Sequence, residues 1–422
     1  MSLRPTRQSS SRMASSAGSA TSLVVGEIAR LGPISFARFM ELALYDPAVG
    51  YYAGRRAGPG RDADFLTSPE IHPAFSGLIA AQLFEMWEAL ERPRPFWLIE
   101  LGPGSGRFAR DALDAIERCF PPFAAAVHLA LVERSSCLRE KQARVLARWR
   151  SRVEWIESSL DDVSPLGAGC VFANEFLDAL PFHRVVMRGA SLRERYVGID
   201  GGRLVDVEGP LSVPEIFDQI RAGGGRLEDG HEAEVSLSAP AWLGAAQGLV
   251  SRGYHLLFDY GEPADLLYGA RHPRGTLRCY RYQVMSEDPL DLPGGQDITA
   301  HVDLSAITRA AEARGARLLA ATTQSALLAR LGLPTVERIL ASRTERRAHA
   351  WAHRRALSIL SDRRELGGIK ALLFGKGVPD ARLSGFAALH SARDYGEAIG
   401  DWCASACRDP ATRWQQPLAD RP

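Results

Sequence analysis

The chain has 422 residues, of which 46% are apolar and 24% are charged. This length suits two domains or one enlarged α/β domain, and the composition is that of an ordinary globular protein. Because 51 basic and 50 acidic side chains leave a formal charge of +1, the chain lacks the basic excess of nucleic-acid-binding proteins. The balance excludes a dedicated nucleic-acid binder and fits a protein or small-molecule partner.

Cysteine use and hydropathy exclude a disulfide scaffold and a membrane span. Six scattered cysteines without a CxxC pair indicate a reducing compartment. The apolar run from Phe120 to Val132 contains two prolines and a histidine and is shorter than the roughly eighteen residues that a bilayer requires. Residues 1–22 are rich in Ser and Arg and are predicted to be disordered, although a mitochondrial presequence has the same composition. A bacterial cytoplasmic location is favoured, with the mitochondrial matrix as the alternative.

Residues 23–94 are predicted to form a helical and loop cover. Apolar residues between Leu23 and Leu44 recur at near-helical spacing, and Gly32-Pro33 interrupts them, which predicts two short helices. A long loop rich in glycine and aromatic residues follows and leads into an amphipathic helix from about Ala74 to Leu90. Loops of this length inside compact chains are usually functional or disordered, and the tyrosines in this loop favour a function.

From Pro95 to about residue 378, short apolar runs alternate with helical stretches, which is typical of a doubly wound parallel sheet. Five runs predict strands at 96–101, 128–133, 153–157, 169–175 and 254–261. Helices are predicted at 108–120, 136–149 and 239–251. A further helix and strand are predicted within 304–324, and a last strand within 367–377. These seven strands predict one Rossmann-like α/β core.

Two insertions and a tail account for the remaining length. Residues 185–235 alternate like antiparallel strands, residues 326–365 are arginine-rich and helical, and the tail at 379–422 has only weak helical signal. His349 and His353 lie four residues apart among arginines without an HExxH glutamate, so a solvated helix face is favoured over a metal site. Cys403 and Cys407 have the same spacing without a partner pair and are predicted to share a helix face. The sequence predicts no metal site.

The strongest local signal is ELGPGSG at 100–106, which closes the first apolar run and opens a helix. Gly102, Gly104 and Gly106 suit a tight strand-to-helix turn that a ligand approaches closely. The pattern is not the GxGxxG of dinucleotide sites, and Glu100 would repel a pyrophosphate, so a cationic nucleoside is favoured. A salt-bridged strand end is the alternative role for Glu100. Glu133 ends the next run, where such folds place a carboxylate on the ribose hydroxyls. S-adenosylmethionine meets these requirements.

The segment NEFLDALP at 174–181 places an amide and two carboxylates at the end of the fourth run. Methyl transfer mainly requires that the nucleophile be positioned and desolvated. Carboxylates orient a guanidinium by bidentate hydrogen bonds. Glu175 and Asp178 are therefore candidate catalytic residues and Asn174 a candidate cofactor ligand, with helix capping as the alternative role of Asp178.

Seven motifs occur in order along the chain, namely GYYAG (50–54), DFLTSPEI (64–71), ELGPGSG (100–106), NEFLDALP (174–181), FDYG (258–261), RGTLRCYRYQ (274–283) and DITAHVDLSAI (297–307). In this combination the chain resembles the MidA-like methyltransferases from about Gly32 to Gly377. The resemblance implies a seven-strand class I methyltransferase core that binds S-adenosylmethionine. For the mitochondrial member of the family it implies arginine methylation of a complex I subunit during assembly.

The resemblance also implies roles for single residues. Thr67 and Glu70 would fold over the cofactor, and Leu160 would line the adenine. Asp259 and His301 would frame the acceptor cleft, with His301 as a tentative catalytic residue and a structural histidine as the alternative. The family often has arginine where this chain has Ser105.

Three functions are consistent with these observations. The first is a methyltransferase that acts on an arginine of a partner protein. The second is a small-molecule O- or N-methyltransferase, and the third is an assembly or binding protein that retains the cofactor fold without catalysis. The sequence leaves the acceptor and the oligomeric state open, with a homodimer as one arrangement.

Overall fold

A computed structural model describes residues 13–53, 66–157, 160–344, 347–379, 382–388 and 391–407. Its strands are β1 (Ile34–Ser35), β2 (Phe96–Leu101), β3 (Val127–Val132), β4 (Val153–Ile156), β5 (Ala168–Asn174), β6 (His183–Arg188), β7 (Ser191–Asp200), β8 (Arg203–Gly209), β9 (Glu232–Val235), β10 (Arg252–Asp259), β11 (Gly261–Glu262), β12 (Arg278–Arg281), β13 (Val284–Ser286), β14 (Asp297–Thr299), β15 (Val302–Asp303), β16 (Arg317–Thr323) and β17 (Lys370–Lys376).

The α-helices are α1 (Met13–Leu31), α2 (Phe36–Tyr45), α3 (Ser68–Ile71), α4 (Pro73–Ala89), α5 (Arg107–Cys119), α6 (Pro121–Ala124), α7 (Ser136–Val145), α8 (Glu215–Ala222), α9 (Ser238–Ala246), α10 (Ala264–Leu267), α11 (Leu304–Ala313), α12 (Gln324–Leu331), α13 (Leu333–Arg343), α14 (Arg347–Ser361) and α15 (Gly396–Ala406). Among the helices so described, none combines the length and apolarity needed to cross a bilayer.

The central sheet has seven strands in the order β16-β17-β10-β5-β2-β3-β4. The strands from β10 to β4 pair in parallel, whereas β17 is antiparallel to both of its neighbours. This arrangement confirms the predicted seven-strand α/β sheet. The carboxyl ends of β2, β3 and β5 meet at one edge, which is where open α/β sheets bind ligands.

Alternate residues of β2 pack on opposite faces of the sheet. Phe96 and Leu98 belong to a hydrophobic cluster with α4, α5, α12, α13 and α15. Trp97, Ile99 and Leu101 belong to a second cluster, with α9 and α11. Both faces are thus covered, which explains why β2 is a continuous apolar run without alternation. Burial of each such large side chain contributes about 1.5–3 kcal/mol.

A second, antiparallel sheet lies in the segment where alternation predicts an insertion. Its order is β1-β7-β6-β9, and β8 also pairs with β7. The short strand β1 comes from the N-terminal segment, and its Ile34 pairs with Val197 of β7. The N-terminal segment therefore contacts the insertion as well as the core.

The N-terminal helix is longer than the sequence predicts. Helix α1 begins at Met13, so the prediction of disorder is wrong for residues 13–22. Ala20, Val24 and Ile28 are buried at spacings of four residues, and a helix anchored by such a stripe extends cooperatively from it. Residues 1–12 and 408–422 of the predicted termini, and 54–65 of the predicted loop, lie outside the described residues.

Candidate active site

A cavity of ≈ 750 Å³ opens at the carboxyl edge of the central sheet. Its wall brings together motifs that are far apart in sequence, including Tyr45, Tyr52, Thr67, Glu70, Glu100, Gly102, Gly104, Glu133, Asn174, Glu175 and Trp242. The predicted cofactor residues Thr67, Glu70, Glu100, Gly102, Gly104, Glu133 and Asn174 are therefore on one wall. The structure brings them together with Glu175.

The glycine loop joins β2 to α5 through backbone conformations that favour glycine. Gly102 and Gly104 have φ angles of 61° and 51°. A Cβ atom on Gly102 would lie 2.5 Å from Cδ2 of Phe176, so the loop also packs too closely for a side chain. Gly106 is left-handed, with φ 77°, and caps the start of α5. Gly106 is not on the cavity wall. Its role is to allow the left-handed turn that begins α5.

The buried Gln142 of α7 fastens this loop to its neighbours. Its Nε2 atom donates to the carbonyl of Gly104 at 2.9 Å and to Oε2 of Glu133 at 3.3 Å. Its Oε1 atom accepts from Nε1 of Trp155 at 3.0 Å. Glu133 also accepts from the Ser135 amide at 2.8 Å through Oε1. Sequence reasoning missed Gln142, because a polar residue within a helical pattern carries no local sign of burial.

Two acidic side chains converge where the strand ends meet. Burial, together with the nearby charge of Glu133, raises the pKa of Glu100 to about 8. Burial also raises the pKa of Glu133, against the hydrogen bonds that lower it. Within the described residues, Oε2 of Glu100 and Oδ1 of Asn174 are buried without a hydrogen-bond partner. Two unsatisfied acceptors, and carboxyl groups whose raised pKa a bound positive charge would lower, fit a cationic ligand that carries N–H donors.

The segment before α4 docks on the glycine loop through Glu70. The carboxylate of Glu70 accepts a hydrogen bond from the Ser105 hydroxyl and pairs with Nε of Arg107 at 3.2 Å. Arg107 therefore supplies the positive charge that faces Glu70. This ion pair brings Thr67 and Glu70 to the cavity.

Glu175 lies directly after β5 in an unusual conformation. Its φ angle is 51°, a left-handed conformation that few residues other than glycine adopt. Its Oε1 atom accepts from the Ser68 amide at 3.2 Å and from Nδ2 of Asn174 at 2.9 Å. Removal from bulk water raises the pKa of Glu175 to about 8. The turn presents this carboxylate to the cavity beside the docked N-terminal segment.

The structure places Asp178 and His301 behind the cavity wall. Both line a separate small space of ≈ 10 Å³, which is about the size of one water molecule. Burial, and the charges of Asp259 and Glu175, hold the pKa of Asp178 well above its ordinary value. Burial lowers the pKa of His301 to about 4, so this imidazole is neutral at physiological pH. Neither residue contacts the space beside Glu175, so the expectation of direct catalytic roles for them is not supported.

Two further predicted residues also lie outside the cavity wall. Leu160 is 4% exposed and packs in the cluster that covers one face of the sheet. Asp259 is buried, and its carboxylate accepts from backbone amides. The expected contacts of Leu160 with adenine and of Asp259 with the acceptor are therefore not supported by their positions.

Two tyrosines also line the cavity. Tyr45 donates to the carbonyl of Ala179 at 2.7 Å, and Tyr52 donates to Oδ1 of Asp297 at 2.8 Å. Their rings stack with centroids 5.3 Å apart. Tyr52 belongs to the GYYAG motif, which is the signal that could have identified it from the sequence.

A histidine pair lies away from the cavity wall. Nε2 of His72 is 3.1 Å from Nδ1 of His353, and Sγ of Cys407 lies within 4.8 Å of both. Nδ1 of His72 accepts from the Ala74 amide at 3.0 Å, so the proton of the neutral ring is on Nε2 and points at His353. This tautomer gives a hydrogen-bonded pair and leaves Nε2 of His72 without a lone pair for a metal. The prediction of a solvated face is wrong for His353, which is 7% exposed because α14 packs against α3.

The sheet order, the glycine loop and the acidic strand ends together define the class I methyltransferase fold that binds S-adenosylmethionine. A family model described as an S-adenosyl-L-methionine-dependent methyltransferase matches residues 78–322. The chain belongs to this family, whose members include the MidA-like methyltransferases.

Curated relatives and a solved structure agree with this assignment. The chain is 30% identical over 339 residues to the mitochondrial protein arginine methyltransferase NDUFAF7 homolog of Drosophila melanogaster, covering 73% of each chain. It is 30% identical over 321 residues to human NDUFAF7, covering 69% of this chain and 68% of that protein.

A crystal structure from Burkholderia thailandensis, with S-adenosyl-homocysteine bound, superposes with a TM-score of 0.79 at 30% identity. The superposition covers 91% of this chain and 98% of that chain. The predictions of the family, of the fold and of S-adenosylmethionine as cofactor are confirmed.

Proposed function

We propose that the protein methylates a side-chain nitrogen of arginine in a partner protein. The observation that carries the proposal is the position of Glu175 on the cavity wall. Within the described residues, both hydrogen bonds to this carboxylate reach Oε1, which leaves Oε2 for an acceptor. The relatives at 30% identity are named protein arginine methyltransferases, and a carboxylate is the natural partner of a guanidinium.

The cofactor would occupy the neighbouring part of the same cavity, since Asn174 donates to Glu175 at 2.9 Å. S-adenosylmethionine supplies a methyl group on a sulfonium centre. Glu133 accepts hydrogen bonds from the ribose, and Glu100 and Asn174 provide acceptors for the cationic end. Gly102 and Gly104 permit close approach to the backbone.

Glu175 has two tasks in the transfer. Its carboxylate orients the guanidinium so that one nitrogen faces the methyl group, because a fixed near-attack geometry removes much of the entropic barrier. The nitrogen would attack the methyl carbon, a C–N bond would form as the C–S bond breaks, and S-adenosyl-homocysteine would leave. The methylated nitrogen would then release one proton, which Glu175 is placed to accept. The positive charge of the acceptor also favours the ionised form of this carboxylate.

In this proposal, aromatic side chains contact the guanidinium of the acceptor. Tyr45, Tyr52 and Trp242 are all on the cavity wall. Trp242 packs edge to face on Phe176, with ring centroids 5.5 Å apart. Aromatic faces attract cations, and each such contact contributes about 0.5–2 kcal/mol to binding. The cavity therefore suits a planar cation inserted between a carboxylate and aromatic rings.

The test is to incubate the protein with methyl-labelled S-adenosylmethionine and fractions of candidate partner proteins, followed by peptide mass spectrometry. We expect label on arginine of a protein, and loss of that label with Glu175→Gln. The matched control is Glu215→Gln, on the exposed start of α8. Label confined to small molecules would replace the proposal with small-molecule methylation. Cofactor binding without label in any fraction would indicate a non-catalytic binding protein.

We also propose a biological setting, of which the complex I acceptor follows from the family resemblance. The acceptor is a subunit of respiratory complex I or its equivalent, the enzyme acts in the bacterial cytoplasm, and it is a homodimer. Co-purification with a labelled complex I subunit, cell fractionation and light scattering test the three statements separately.

A further inference from the structure

The turn that carries Glu175 needs an external constraint. A left-handed conformation is unfavourable for a residue with a Cβ atom, and it persists only where its surroundings determine it. One constraint is the adjacent strand, since the Glu175 amide donates to the carbonyl of Phe258 at 2.8 Å. This bond fixes the start of the turn and leaves the next amides to be satisfied.

Asp259 satisfies those amides. It is the last residue of β10, which pairs with β5, and its side chain is 4% exposed. Its Oδ2 atom accepts from the amides of Phe176 at 3.3 Å and Leu177 at 2.8 Å. Its Oδ1 atom accepts from the Tyr260 amide at 2.9 Å. One carboxylate therefore binds the two residues that follow Glu175 to the end of the neighbouring strand.

We infer that Asp259 is the positioning residue that holds Glu175 at the methyl-transfer end of the cavity. The inference rests on the proposed role of Glu175 and adds to it a residue that does not touch the acceptor. Two acceptor oxygens are needed, because three amides from the segments that follow two neighbouring strands converge on this side chain. Asparagine has almost the same shape but only one acceptor oxygen, and its NH₂ group would meet an amide donor.

Because Asp259 carries a charge, its substitution should also change the pH–rate profile. This charge contributes to the raised pKa of Glu175. Among the described residues, Asp178, Tyr260 and Tyr280 also lie within electrostatic reach of the same carboxyl. Removal of one negative charge stabilises the ionised form of Glu175, so the acid limb of the pH–rate profile moves to lower pH. Loss of an uncharged structural contact would not move this limb.

The experiment compares Asp259→Asn with Asp303→Asn in the full chain. Asp303 is also a buried aspartate that accepts from a backbone amide, that of Ala306 at 2.9 Å, where it caps α11. Asp303→Asn therefore removes a comparable buried aspartate that caps a helix and makes no hydrogen bond to the Glu175 turn. S-adenosyl-homocysteine affinity by calorimetry and thermal melting show whether each variant is folded.

We expect Asp259→Asn to lower kcat about a hundredfold, the usual cost of a 1 Å misplacement, with S-adenosyl-homocysteine affinity within about threefold of the parent. We expect Asp303→Asn to retain kcat. If Asp259→Asn keeps the parental kcat while Glu175→Gln loses it, the positioning role is overturned and the proposed function stands. Loss of cofactor binding together with kcat would assign Asp259 to general folding and overturn the inference. Full activity of Glu175→Gln would overturn the role of Glu175 itself.

Discussion

The amide of Ser68 donates to Oε1 of Glu175 at 3.2 Å, across 107 residues of sequence. This hydrogen bond ties the segment before α4 to the end of β5. The candidate catalytic carboxylate is thus positioned partly by a segment that precedes the central sheet. A displacement of that segment is therefore expected to impair catalysis even where the central sheet is unchanged.

Glu175→Gln is expected to lower kcat by 10²–10⁴-fold, the usual contribution of a group that transfers a proton. Glutamine retains an oxygen for the Ser68 amide, so the fold and cofactor affinity should be retained. Because the carboxylate is the active form, kcat/KM of the parent enzyme should rise as pH increases through about 8. Steady-state kinetics between pH 6 and 10 measure both effects. A similar rise in Glu175→Gln would show that another group titrates.

Gly102→Ala is expected to destabilise the protein more than Gly189→Ala. Both glycines have left-handed φ angles, 61° and 58°, so both substitutions carry the same conformational cost of about 1–2 kcal/mol. Only Gly102 would also place a Cβ atom against Phe176, whereas nothing lies within 4 Å of the Cβ position at Gly189. Urea unfolding measures the difference in the free energy of unfolding. Calorimetry should show weaker S-adenosylmethionine binding for Gly102→Ala alone.

Gln142→Leu is expected to cost about 2–4 kcal/mol, since it leaves the Gly104 carbonyl and the Trp155 indole N–H unpaired. Cofactor affinity should fall with it, because Gln142 fastens the glycine loop. Gln247→Leu is the matched control. Gln247 is fully buried, and neither atom of its side-chain amide has a hydrogen-bond partner among the described residues. That substitution should be neutral or stabilising, and equal losses for the two variants would contradict the role of Gln142.

Glu100→Gln is expected to change the pH dependence of stability in the cofactor-free protein. The pKa of Glu100 is about 8 in the folded state and 4.5 in the reference state. The folded protein therefore binds one more proton between these values, and the free energy of unfolding falls as pH rises from about 4.5 to 8. The substitution should remove up to about 1.4 kcal/mol of this loss per pH unit. Urea titrations at pH 5, 6, 7 and 8 measure the two slopes, and parallel slopes would contradict the raised pKa.

The elements that sequence reasoning located correctly depend on local physics. The buried strand β2 appears as a continuous apolar run, and the glycine loop follows it because a tight strand-to-helix turn needs positive φ angles. Glu133 directly follows β3, at the edge of the sheet where such folds place a ligand-binding carboxylate. These signals are encoded within a few residues, so one sequence suffices to predict them.

The sequence by itself therefore determined the seven-strand core, the glycine loop and the cofactor. Only the tertiary structure decided which acids reach the cavity, because Glu175, Asp178 and Asp259 all lie near the ends of neighbouring strands. Of these three, Glu175 alone is on the cavity wall. It also decided the roles of Ser68 and Gln142, whose partners lie 107 and 38 residues away. Such long-range contacts satisfy buried polar groups, and a local pattern does not specify them.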